Sequence, residues 1–159
     1  NRITFLTIVG LNACKPQEVE LPFDTIERQS IAGYTMLFED IQPALKIITS
    51  PEDVDSLDGL ITVEAQRQLQ EMDYKTHFAI IAFLGQQSTS HEGVSIQRIV
   101  SQGHDVSIFV KVGQPKGEPT VTSPYHLVRV EKTGRWNATI SFAFVVEGKT
   151  VATESKFVP

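Results

Sequence analysis

Apolar and polar positions alternate along this chain in ways that separate helix from strand. Between 61 and 72, Ile61, Ala65, Leu69 and Met72 recur at helical spacing while "EAQRQLQE" supplies a wet face, which predicts a helix over 63–72. Just before it, "LKIITS" reads as a strand feeding a first short helix, with Ser50 as N-cap, Pro51 at the first helical position, and Glu52 and Asp53 in the first turn. The period then changes to two. "HFAIIAFLG" is apolar on both alternations, as a strand covered on both faces must be. "VSIQRIV" and "DVSIFVKV" alternate, and "SQGH" between them carries the glycine of a hairpin turn. "FDTIERQS", "YHLVRVEK", "ATISFAFVVEG" and "KTVATESKF" read as further strands, with "EGK" a second hairpin signal, whereas "GQPKGEPTVTSP" reads as a loop. At least seven strands and two short helices in the N-terminal half define an α+β fold, a mostly antiparallel β-sandwich or half-open barrel.

One apolar run stands outside this pattern. "ITFLTIVGL", over 3–11, is too short to span a bilayer, which takes about 20 residues. It follows Arg2 and precedes "LNAC", the order of basic start, apolar stretch and small-residue cleavage site in a secretory signal. "LNAC" also resembles the lipobox of bacterial lipoproteins, with Leu11 and Ala13 matching, and that resemblance makes Cys14 the lipidated residue. The rival reading is a buried first strand. The polar "KPQEVELP", with its two prolines, favours a tether instead. The expected organisation is a signal-peptide remnant at 1–13, a tether at 14–22 and one globular domain at 23–159. Such a protein is extracytoplasmic, in the bacterial cell envelope, and bound to its membrane through a lipid anchor.

Composition narrows the classes further. A chain of 159 residues with 41% hydrophobic and 21% charged side chains can bury a core without disulfides, and its single cysteine cannot form one internally. Nineteen acidic residues against fourteen basic ones, with no basic block, exclude nucleic acid as an expected partner.

Candidate chemistry is sparse. "EDVDSLDG" with Glu64 has the length of a calcium loop, but Leu57 and Asp58 occupy positions that such a loop gives to an oxygen ligand and a glycine. Ser123 and His126, with Asp105 or Glu131, contain the residue types of a hydrolase triad. No nucleophile elbow surrounds Ser123, and in a strand Ser123 and Tyr125 face one side while His126 faces the other. His77, His91, His104 and His126 lack paired ligand spacing, and "NAT" at Asn137 is a chance glycosylation match in a bacterial chain. The expectation is therefore no catalytic residues, no metal and no cofactor.

"AIIAFLGQQSTSHEGVSIQRI", followed by "VGQPKGEPTVTSPYHLVRVEK", resembles the C-terminal domain of the PrcB family, bacterial secreted proteins and lipoproteins named for a subunit accompanying a cell-surface protease. The likeness spans about 78–132. Its Thr-x-Pro-Tyr segment is present as Thr122, Pro124 and Tyr125; its Gly-Gly-Tyr turn keeps Gly93 but has Glu92 and Val94 in place of the first glycine and the tyrosine. The resemblance implies a non-enzymatic accessory domain whose partner is another envelope protein, a secreted protease among the candidates. Read from the residues, Gly93, Pro124 and Tyr125 are structural, and the long loops 86–93 and 113–119 are where binding belongs, with Gln86, Gln87, His91, Glu92, Lys116 and Glu118 as candidate contacts. The alternative is an envelope domain binding a small molecule or an ion.

Overall fold

A computed structural model describes residues 15–29, 42–91 and 93–159 of the chain, and of residues 89–91, 118 and 120 the backbone alone. Two sheets and a helical layer stack on one another. The first sheet has the strand order β1-β6-β7-β10-β11 and the second β2-β9-β4-β3. The strands are β1 (Glu18–Glu20), β2 (Phe23–Gln29), β3 (Ala44–Ile48), β4 (His77–Phe83), β5 (Gln87–His91), β6 (Val94–Gln102), β7 (Asp105–Val112), β8 (Pro115–Thr122), β9 (Tyr125–Glu131), β10 (Ala138–Val146) and β11 (Lys149–Val158). A 3-10 turn, Pro51–Leu57, and one helix, α1 (Val63–Gln70), cover the outer face of the four-stranded sheet. This is the α+β sandwich that the patterning implies, and among the described residues it does not close into a barrel.

A single long hairpin generates most of it. The chain runs out through β4, β5 and β6, turns at Gly103 and His104, and returns through β7, β8 and β9. Pairing is antiparallel throughout, from His77↔Glu131 and Phe83↔Tyr125, through Gln87↔Thr122 and His91↔Pro115, to Val94↔Val112 and Gln102↔Asp105. An apolar side chain on one face of a flat hairpin of this length would stay wet. The hairpin therefore folds over, so that Phe78, Ile80, Val128 and Val130 from its base bury against Ile96, Ile99, Val106 and Ile108 from its tip. Phe142, Phe144 and Ile140 of β10 complete this core, and Phe78 stands at its centre with ring centroids 5.2 Å from Trp136 and 5.9 Å from Phe142. Each such ring pair adds about 0.5–1.5 kcal/mol beyond its buried area.

The other face of the base explains the doubly apolar β4. Ala79, Ile81 and Phe83, with Tyr125 and Leu127 of β9, pack under Val54, Leu57, Ile61, Ala65 and Leu69 from the helical layer. Thr62 caps α1 through Oγ1, which accepts the Ala65 N–H at 3.1 Å. Ser50 occupies the N-cap of the 3-10 turn, but its hydroxyl makes no capping bond. Asp53 reaches back instead, accepting the Thr49 N–H at 2.8 Å and forming an ion pair with Lys156 of β11 at 2.7 Å. Burial opposes its charge, and these bonds outweigh that, holding the carboxyl below the usual range.

Two expectations need correction. Residues 15–22 do not hang free as a tether: Glu18–Glu20 pairs with β6, Leu21 is buried in the inter-sheet core, and its N–H donates to the Ile99 carbonyl. The next carbonyl, that of Pro22, accepts from Glu131, so the chain steps here from one sheet to the other. The stretches 86–93 and 113–124 are not open loops, because most of each lies in β5 and β8, which pair as a two-stranded ribbon. β7 and β10 pair in parallel and the other described pairings are antiparallel, in keeping with a mostly antiparallel fold.

The bend of the hairpin is set at glycines. Gly93 has φ +103°, a left-handed value, and its carbonyl accepts the Gly113 N–H at 2.8 Å across the pair. A Cβ there would meet the Arg28 guanidinium at 3.7 Å, an ordinary contact, so the cost of a side chain is in the backbone. Gly93→Ala is expected to lower unfolding free energy by roughly 1–3 kcal/mol in a denaturant titration. Unchanged stability would mean that the bend does not require this angle.

Candidate functional site

The ribbon β5–β8 joins the two sheets at the fold of the hairpin, and among the described residues its strands pack mainly on each other. Gln86, Ser88, Lys116, Pro119 and Val121 are exposed along it, and Gln87 is half-buried with its amide donating to the Leu84 carbonyl. Of the residues expected to make contacts, Gln86, Gln87 and Lys116 thus fall on one protruding element. His91 and Glu118 lie on the same ribbon by their backbone, whereas Cys14 and Glu92 lie outside the described residues.

The Thr-x-Pro-Tyr segment forms the foot of the ribbon. The Pro124 carbonyl accepts the Leu84 N–H at 3.0 Å, closing the base pair of strands just before they part from the sheet. Tyr125 is buried under the helical layer beside Phe83, with ring centroids 5.6 Å apart. Its hydroxyl donates to Glu27 at 2.6 Å, and the same carboxylate oxygen accepts the Thr62 N–H at 3.3 Å. Tyr125 therefore ties β9, β2 and the start of α1 together.

Ser123 and His126 do not form a catalytic pair. Ser123 is fully buried and its Oγ has no hydrogen-bond partner among the described residues, so nothing polarises it as a nucleophile. His126, 3% exposed, points the opposite way, into the space between the sheets. Its Nδ1 accepts the Ile96 N–H at 2.8 Å and its Nε2 lies 2.8 Å from Thr25 Oγ1. A backbone N–H can only donate, so Nδ1 carries the lone pair and Nε2–H donates to Thr25. Both contacts fall where a ladder is interrupted, at the register shifts Ile96/Arg98 in β6 and Thr25/Glu27 in β2. His126 thus supplies an acceptor that the bulge in β6 takes away. Nothing in the sequence near His126 marks this, since Thr25 and Ile96 are 101 and 30 residues distant.

Other charged positions are structural or solvated. Arg67 bridges Glu64 and Glu71 on the open side of α1. The described residues hold no group of three or more His, Cys, Asp or Glu placed to bind a metal. A shallow groove of about 580 Å³ is lined by Pro51, Met72, Tyr74, Lys132 and Pro159. The Lys132 ammonium is already held there by the carbonyls of Tyr74 and Pro159, both at 2.7 Å.

Comparison of the chain with models of protein families, with curated proteins and with solved structures gave no match.

Burial, and then the charge of Arg28, push the His126 imidazole down to about 4 from an ordinary 6.5. The unfolded chain then binds the extra proton between those two values, so this residue makes the fold lose stability as pH falls through 6.5 and stops doing so below about 4. The expected loss from pH 7 to pH 4.5 is about 2–3 kcal/mol more than in His126→Asn, measured by denaturant unfolding at both pH values. Equal pH dependence in the two proteins would show that His126 is not buried as a neutral ring.

Proposed function

We propose that this chain is the folded domain of a bacterial envelope lipoprotein, anchored through Cys14, that works without catalysis as an accessory to another envelope protein, with a surface protease the leading candidate. The observation that carries the binding reading is the β5–β8 ribbon: a two-stranded element whose strands pack mainly on each other among the described residues and which carries Gln86, Ser88 and Lys116 exposed to solvent. Its root is tied by the Leu84–Pro124 bond and by Tyr125, and turns at Gly93. Preorganisation of this kind reduces the ordering cost of association. The likeness of 78–132 to the PrcB family supports the accessory role, and its Thr-x-Pro-Tyr segment lies at this root. The unpaired hydroxyl of Ser123 and its separation from His126 support a non-catalytic reading. The anchor rests on "LNAC" and the apolar run before it.

Two experiments test the two halves. A photo-crosslinking amino acid in place of Lys116, on the ribbon, is expected to trap one dominant envelope protein in the native host, and the same probe at Lys149, at the far hairpin, to trap none. Trapping that is no greater at Lys116 would remove the ribbon as the contact surface. Gln86→Ser with Lys116→Ser should abolish that crosslink from a neighbouring probe at Gln114 while changing stability by less than about 0.5 kcal/mol, whereas Tyr125→Ala should cost about 3–5 kcal/mol. Separately, Cys14→Ala should move the protein from the membrane fraction to the soluble one with its melting temperature unchanged. A wild-type protein found unlipidated by mass spectrometry would overturn the anchor.

A further inference from the structure

His126 sits where the folded hairpin has to stay folded. It belongs to β9, in one sheet, and accepts from Ile96 of β6, in the other, three residues beyond the Gly93 bend from which the ribbon departs. We propose that His126 is an acid-released latch between the sheets: a proton from solvent taken up at Nδ1 turns that atom from acceptor to donor, sets it against the Ile96 N–H, and frees β6, beside the Gly93 bend where the ribbon departs, from β9 of the four-stranded sheet.

The geometry supplies each part. The ring has one acceptor atom and the Ile96 amide already uses it, so the imidazolium has no means of keeping that bond. Ile96 cannot transfer its N–H to the regular ladder without repairing the register shift between Ile96 and Arg98. Among the described residues few charges surround the ring. Arg28 of β2, opposite His126 in the antiparallel pair, is the charged group whose field reaches it, and it opposes protonation. Ala82 of β4, the register neighbour on the other side, and Ile96 of β6 contribute no charge, and Glu27 points to the opposite face, where it accepts from Tyr125. No carboxylate among these neighbours is placed to stabilise the imidazolium, so protonation is relieved by movement or by water entry. Movement is easiest toward the ribbon, whose strands pack mainly on each other, and hardest toward β7 and β10, which hold the centre of the core.

As a control on partner capture the latch rests on the ribbon being the docking surface, but its own test uses the chain without a partner. In the 15N-labelled chain, amide hydrogen exchange at Ile96, corrected for intrinsic rates, is expected to accelerate by at least about tenfold between pH 7 and pH 4.5, and at pH 4.5 to run well ahead of exchange at the core Phe142 amide, which reports the global loss of stability. In His126→Asn, whose side-chain oxygen accepts from the same amide and does not titrate, the change at Ile96 should vanish. Should that variant fail to fold, Arg28→Gln is expected to raise the pH at which both the ring and the Ile96 amide respond. Exchange at Ile96 that does not change with pH would overturn the latch, as would equal protection of Ile96 and Phe142 at pH 4.5, which is global unfolding. Partner capture is scored at pH 7, with the latch closed, so failure of the ribbon reading would appear there and leave the exchange result standing.

Discussion

Everything in this fold depends on one hairpin being bent back on itself. Its base and its tip each present an apolar face, Phe78, Ile80 and Val130 on one and Ile99, Val106 and Ile108 on the other, and these belong to one buried cluster. Folding over buries each against the other and turns one long ribbon into two sheets. β1 and β2 follow the same rule at an edge, with Leu21 pinned to Ile99 in one sheet just before Pro22 binds Glu131 in the other. The added strands β10 and β11 widen the tip sheet, and the helices seal the outer face of the base sheet.

Bending a β-ribbon disturbs its ladder, and the polar groups so released must find partners. Two of the solutions are long-range side chains. His126 takes the Ile96 amide, and Glu27 takes both the Tyr125 hydroxyl and the first amide before α1. Both residues sit on adjoining strands, β9 and β2, and face opposite ways, so one fastens the sheet below and the other the helices above. The foot of the ribbon is thereby fixed from both sides, and a surface carried on it has a defined direction. These bonds fix the foot from which Lys116 and Gln86 project.

How much of this was legible depends on whether the cause was local. "HFAIIAFLG" announced a strand covered on both faces, and it is β4; "EAQRQLQE" announced α1, and Thr62 caps it. The turns "SQGH" and "EGK" were readable because glycine answers a local backbone angle, as at Gly103, φ +62°, and Gly148, φ +77°. β5 and β8 were hidden because "QSTSH" and "PKGEPTVT" hold few β-formers; they are strands only because the paired strands on either side bring them together. β1 was hidden in the same way, since "EVE" is exposed throughout and owes its place to β6 and to the burial of Leu21 next to it. His126 could be seen as a residue but not as a latch, because its two partners come from distant strands.

The features that concealed the ribbon are those that let it stand in solvent. A long exposed strand of β-branched residues would be a template for edge-to-edge association. β8 instead carries Pro115 and Pro119, each lacking an N–H to offer a foreign strand, and Gly117 between them at φ +75°, which twists the edge out of register. The pairing itself is irregular, with register shifts on both sides of Thr89. An edge so interrupted is poor at extending a sheet into a partner through its backbone. What β8 offers is side chains, Lys116 and Val121, on a scaffold stiffened by proline. If the ribbon is a docking surface, as proposed, its contacts come from side-chain chemistry and shape rather than from main-chain amides.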